Sequence, residues 1–166
     1  MNSDSYIECM VKRRTPGYLL FLKYLLIGLT VVAALASFLF GVYAFIVAVI
    51  FGVAAYFFGI HIDVEYEYLY LDKEITVDKV MHKEKRKRVA TYELSKIEIM
   101  APIKSYRLDG YKNRQVKTVD ISSQVEAMPD KRYVFFYNGD QKVIFEPNEE
   151  LTALLKKLEP WKVYTD

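Results

Sequence analysis

Cys9, His61 and His82 are the chain's whole supply of thiol and imidazole groups. A cysteine beside a histidine could form a thiolate–imidazolium pair for covalent catalysis, the imidazole taking the thiol's proton. That pair would need Cys9, ahead of a long apolar run, to meet His61 at the run's far end or His82 in a charged stretch. The plainer reading, an interfacial His61 and a solvated His82, requires no such meeting. Two histidines and one distant cysteine are also a poor transition-metal set, which takes three or four ligands at close spacing. Glu65 and Glu67 stand two apart in a strand-like stretch and so share a face. General acid–base work would need one of them raised in pKa, and a solvated face supplies no cause. The chain has no HExxH, no CxxC and no glycine-rich phosphate loop. The expectation is a protein that is not an enzyme, without catalytic residue, metal or cofactor.

Charge offers a second chemistry. Residues 63–78 carry net −5, residues 79–117 net +8 and residues 118–166 net −3. The stretch "HKEKRKR" concentrates Lys83, Lys85, Arg86, Lys87 and Arg88, and reads as a charged loop. Near a membrane, such a cluster contacts anionic lipid heads at ~1 kcal/mol per well-placed base. It equally suits a protein partner, or a solvated loop whose charge only keeps it on one side of the membrane. Sequence alone leaves these readings open. Nucleic acid is not expected, because no aromatic residue interrupts the run and the charges from 63 onward cancel.

The elements that must position these groups are of two unlike kinds. From Tyr24 to Ile60 there are 37 residues without Asp, Glu, Lys, Arg or His. Soluble elements alternate apolar with polar positions, and this run does not. As one helix it would extend ~55 Å, against a hydrocarbon core of ~30 Å. Two spans fit, at 18–38 and 42–60, with the chain turning at 39–41. The expected domains are an N-terminal segment at 1–17, a transmembrane helical hairpin at 18–61 and a soluble domain at 62–166. The second span carries Gly41, Ala44, Ala48, Gly52, Ala55 and Gly59 in steps of three and four. That spacing makes one small-residue face, suited to close helix packing within the hairpin or between copies in a homo-oligomer. The alternative is that Gly and Ala are simply common in spanning helices. Lys12-Arg13-Arg14, the apolar region and Ala34-Leu35-Ala36 also imitate a signal peptide, but the charged leader is long and a second span follows at once. Lys12, Arg13, Arg14 and Lys23 precede or open the first span, so the N-terminus is expected in the cytoplasm. A hairpin returns the chain to the same side, which places the soluble domain at the inner face of the cell membrane. A single cysteine excludes an intrachain disulfide and agrees with a reducing compartment.

The soluble part reads as seven strands and one helix. "VEYEYLYL" alternates Val64, Tyr66, Tyr68 and Tyr70 on one face with Glu65 and Glu67 on the other, solvated one. Asp72-Lys73 turns into "EITVDKVM", whose parity slips near Lys79-Val80 as at a bulge. "VATY" and "SKIEIM" follow, the latter stopped by Pro102. After a long polar loop comes the weaker "VKTVDI", then two apolar strands joined at Asn138-Gly139. In "PNEELTALLKKLEP", Asn148 suits the N-cap, Glu149 and Glu150 the first turn, and Leu151, Leu154, Leu155 and Leu158 one buried stripe. A mostly antiparallel α+β domain follows, a partly open barrel capped by its C-terminal helix.

That order resembles the pleckstrin-homology (PH) superfold. The segments "YIECMVKRR", "VEYEY", "KRKRV", "IEIMAP" and "VIFEPNEE" resemble a family of small bacterial membrane proteins, without assigned activity, that carry a PH-like domain after two spanning helices. The resemblance covers nearly the whole chain and implies a fold and a topology, but no mechanism. Phosphoinositide-binding PH domains place bases in and beside their first strand–strand loop, whereas "LDKE" here is short and partly acidic. A specific inositol-phosphate site is therefore not expected. Two functions remain open: a membrane-tethered binding or scaffolding module with a protein or lipid partner, or an accessory subunit of a larger transporter or secretion complex.

Overall fold

The computed structural model describes residues 6–81 and 85–165. The chain divides into two compact units, one of Thr15–Val64 and Met81–Lys85, the other of Met1–Arg14, Glu65–Val80 and Arg86–Asp166. His82 and Lys83 lie outside the described residues.

The first unit is a helical hairpin of α1 (Gly17–Phe40) and α2 (Val42–Ile62). At 1.5 Å per residue they run ~36 and ~31 Å, each enough to cross a hydrocarbon core of ~30 Å. The reversal takes one residue. Gly41 sits at φ 68°, ψ −146°, a backbone state that a side chain would oppose, and its N–H donates to the Ser37 carbonyl at 2.9 Å. The less exposed positions of α1 include Leu19, Lys23, Leu26, Thr30, Ala33 and Ser37, and those of α2 include Ala44, Ala48, Gly52, Ala55 and Gly59. Steps of three and four on both helices give the seam of a shallow, coiled-coil-like crossing. Hydroxyls near that seam are satisfied by their own helix: Thr30 donates to the Leu26 carbonyl at 2.8 Å and Ser37 to the Ala34 carbonyl at 2.6 Å. At the open end, Thr15 donates to the Ile62 carbonyl at 3.1 Å and ties the two ends of the hairpin together.

The second unit has eight strands among the described residues, not seven, arranged in two four-stranded sheets. One sheet has the order β1 (Ile7–Lys12), β2 (Val64–Leu71), β3 (Glu74–Met81), β4 (Lys85–Glu93). The other runs β5 (Ile97–Pro102), β7 (Tyr133–Tyr137), β8 (Gln141–Phe145), β6 (Lys117–Asp120). The additional strand is β1, inside the N-terminal segment expected at 1–17. It pairs antiparallel with β2 from Ile7 opposite Tyr70 to Lys12 opposite Glu65. Two adjacent strands that a tight turn could join are thus joined through the helical hairpin, which is an insertion in their connection. β6 lies parallel to β8, from Lys117 opposite Gln141 to Asp120 opposite Ile144. The long segment between β6 and β7 makes that possible, since parallel neighbours need a crossover.

The core lies between the sheets. β1 turns Ile7 and Cys9 inward, β2 contributes Tyr66, Tyr68 and Tyr70, and β3 Ile75, Val77 and Val80, so parity slips at Lys79 as expected. Tyr68 is wholly buried and donates to the Ile121 carbonyl at 2.6 Å while its ring meets Phe145 edge-on. Phe145 in turn packs edge-on against Phe135, and Phe135 against Tyr92, which carries the aromatic contact from one sheet to the other. Turns supply the reversals: Asp72 and Lys73 both take positive φ between β2 and β3, as do Asn138 and Gly139 between β7 and β8. α3 (Glu149–Leu158) starts where Asn148 Oδ1 accepts from the Leu151 N–H at 2.8 Å, and buries Leu151 and Leu155, while Leu158 is exposed.

Candidate functional site

Of the residues that could have formed a catalytic pair, Cys9 and His61 are among the described residues, and both have structural partners. Cys9 is buried on the inner face of β1 and its thiol points to the Glu146 carbonyl at 4.0 Å. Burial pushes the thiol's pKa up, away from the thiolate that nucleophilic chemistry needs. His61 holds its Nδ1 2.7 Å from the Phe57 carbonyl one turn back in α2. Among the described residues no three of His, Cys, Asp and Glu are grouped to hold a metal ion.

The basic cluster is a strand and not the expected loop. β4 begins at Lys85, so Lys85, Arg86, Lys87 and Arg88 belong to the outermost strand of the first sheet. The physical reason is alternation: Arg86 and Arg88 reach across the sheet to acids on β2 and β3, which makes a strand of a stretch that charge alone would leave solvated. Arg86 lies 3.2 Å from Glu67 of β2, and Arg88 lies 3.5 Å from Asp78 of β3. Lys85 and Lys87 fall on the opposite side of the strand and are exposed. Lysines at a sheet edge also discourage unwanted pairing with another strand.

Glu67 corrects a second expectation. It is wholly buried, whereas Glu65 is only half-buried, although the two share a strand face. Met10 stands opposite Glu67 in the ladder, with Glu8 next but one on the same strand. Neither Glu67 oxygen receives a hydrogen bond from a protein donor. Glu8 is the acid that bears on it most, a pure acceptor when ionised, so its presence favours the protonated form of Glu67. Burial, then the Glu8 contact, holds the Glu67 carboxyl above its ordinary range, with Arg86 opposing. Glu8 is held below its range by hydrogen bonds from Glu67 and from the Tyr6 hydroxyl, 2.8 Å away. The outer face of this sheet therefore buries the Glu67 carboxyl on the same side as Glu8, with Arg86 of the basic strand 3.2 Å from it. Alternation along "VEYEY" was the available signal for Glu67, but it could not show what covers the second face.

The linkage has a definite sign. A carboxyl raised in the fold contributes stability below its ordinary pKa and loses it as pH rises through the folded value. Glu67→Gln keeps a donor toward Glu8 and removes that titration. Arg86 is 61% exposed, so losing its ion pair costs little. The variant is expected to gain thermal stability relative to wild type between pH 4.5 and pH 8, read on the full chain in detergent. An equal difference at both pH values would show that Glu67 does not titrate there.

The remaining site residues fall on the hairpin. Gly41 is the exposed turn residue, Ala48 is buried at the seam, and Ala44, Gly52, Ala55 and Gly59 are half-buried along it. A side chain added at Gly52 would meet the Thr30 methyl at 3.4 Å, and one at Gly59 the Lys23 Cε at 3.6 Å.

Two four-stranded sheets followed by an amphipathic C-terminal helix define a PH-like domain, here interrupted after its first strand by two apolar helices. The chain belongs to the family described as Bacterial PH-like domain (DUF6106), whose model matches residues 3–165. No curated protein and no solved structure matches the chain. The fold, a core cysteine and a histidine spent on its own helix support a non-enzymatic protein. Because β1 precedes the helices, "LDKE" is the second strand connection and the helical hairpin is the first. The bases beside that first connection are Lys12, Arg13 and Arg14. Arg13 already donates to the Tyr66 hydroxyl at 2.9 Å and to Gln124 at 3.3 Å, and the Arg14 N–H donates to the Ser123 carbonyl at 2.8 Å.

Proposed function

We propose that the protein is a membrane-anchored, non-enzymatic binding or scaffolding protein that presents its PH-like domain at the inner face of the cell membrane. The observation that carries this reading is the bareness of the hairpin: α1 has no buried residue and α2 only Ala48, although both helices are apolar on every side. A core helix of a soluble protein would bury such surface, and lipid covers it without a partner. The insertion of the hairpin between paired strands supports an even number of crossings, so both termini share one side. Lys12, Arg13, Arg14 and Lys23 favour the cytoplasm for that side. The exposed Lys85 and Lys87 of β4 are the contact offered to a protein partner or to anionic lipid heads.

A second reading, an accessory subunit of a larger membrane complex, draws on the same bare helices, which another protein's spans would cover as well as lipid. Cross-linking with mass spectrometry in native membranes separates the two. Links from Lys85 and Lys87 to a partner, with the protein purifying as a small species, are expected. Consistent co-purification of a multi-span protein linked through the hairpin would favour the second reading instead.

A further inference from the structure

The hairpin is not sealed along its seam. A groove of about 440 Å³ runs between the helices, lined by Lys23, Ile27, Thr30, Gly52, Ala55 and Gly59 among others. That is the size of a small-ligand site. It exists because Gly52 and Gly59 project nothing toward α1. Its walls are graded. At the end away from the Gly41 turn lies Lys23, the only Asp, Glu, Lys or Arg in Gly17–Ile62, its stem stretched over Gly59. About 10 Å further along α1, at Thr30, the groove is apolar: the Thr30 hydroxyl is spent on the Leu26 carbonyl, and its methyl faces Gly52. Asp63 stands at the charged end, and it has a partner of its own. No ion pair or hydrogen bond engages Lys23 among the described residues.

We infer that this groove is a binding site for one anionic phospholipid, its phosphate on the Lys23 ammonium and an acyl chain along Ile27, Thr30 and Ala55. The match is one of charge and polarity order. A single unpaired cation marks the headgroup end, an apolar trough runs toward the bilayer centre, and the long lysine stem can reach the interface. The inference rests on the membrane reading above, and its test separates the two.

The full chain, extracted in detergent from membranes, is examined by native mass spectrometry after exchange into equal phosphatidylglycerol and phosphatidylcholine. Wild type is expected to retain one phosphatidylglycerol about fivefold over phosphatidylcholine, the value of one well-placed lipid-facing base. Lys23→Gln should remove that preference and Lys23→Arg should keep it. Ala55→Leu, which fills the trough, should reduce retention of both lipids. Equal retention of the two lipids by wild type, or a preference untouched by Lys23→Gln, overturns the proposal. So does a dimer in which cysteines placed at position 55 of two copies cross-link, since a second copy then fills the groove. Release of the protein from membranes at alkaline pH would refute the membrane reading itself, whatever the lipid result.

Discussion

Excising residues 15–63 and closing the chain with an Asn-Gly turn is expected to yield a soluble domain that folds cooperatively. The reasoning is topological. Lys12 stands opposite Glu65 in an antiparallel ladder, so the ends left by the excision are already neighbours. An Asn-Gly turn supplies the twist that such a pair requires. The excised unit takes nearly all the fully apolar helix with it, and the buried residues that remain, from Ile7 to Val163, form the core of the β-rich unit. Heteronuclear NMR of the excised protein should show dispersed amide signals, and its thermal transition should be sharp. Aggregation with collapsed dispersion would mean that the strands owe their pairing to the helices and that the hairpin is not a simple insertion.

Starting the chain at Asp63 is expected to fail, although that cut removes only 13 more residues than the excision does, 62 against 49. It deletes β1, and with it the six-residue ladder that covers one edge of β2. Ile7 and Cys9 leave the core, and Tyr68, now wholly buried, loses the strand beside it. The apolar loss alone is about 2–5 kcal/mol by the usual cost of emptying buried aliphatic sites. The uncovered edge adds unpaired backbone groups and an aggregation surface. Against a typical net stability of about 5–15 kcal/mol, the fragment is expected to be largely unfolded or aggregated. A synthetic peptide of residues 6–14, added in trans, should restore the folded signal. A fragment that folds well without it would show that β1 is dispensable, and the register of β1 on β2 would lose its significance.

Much of this architecture was legible in the residues, and what was not has particular causes. The hairpin was legible because its two apolar helices lack the alternation that water imposes, and Gly41 marked the turn. β2, β7, β8 and α3 were legible because each carries a dense apolar pattern, and β7, β8 and α3 have local punctuation as well: positive φ at Asn138-Gly139, and a side-chain cap at Asn148. β1 was not recognised, although Ile7, Cys9 and Val11 alternate with Glu8, Met10 and Lys12, because its partner is remote in sequence across the helices. The parallel pairing of β6 with β8 was also invisible, since a short strand with little apolar character does not declare its neighbour. The basic cluster was recognised as a feature and misread as a loop. Its arginines are held by Glu67 and Asp78 on other strands, and such pairings depend on register. Burial of Glu67 belongs to the same class: a strand's second face is set by what lies over it.

The proposed anchoring requires the chain to leave and return to one side of the membrane. The direct measurement is a pair of fusions to a reporter that is active only outside the cytoplasm, one inserted at Phe40 beside the hairpin turn, the other after the C-terminal end of the domain. The expected result is activity at Phe40 and silence at the C-terminus. Activity at the C-terminus would put the domain across the membrane from β1, which must pair with β2, and would contradict both the hairpin and the cytoplasmic placement.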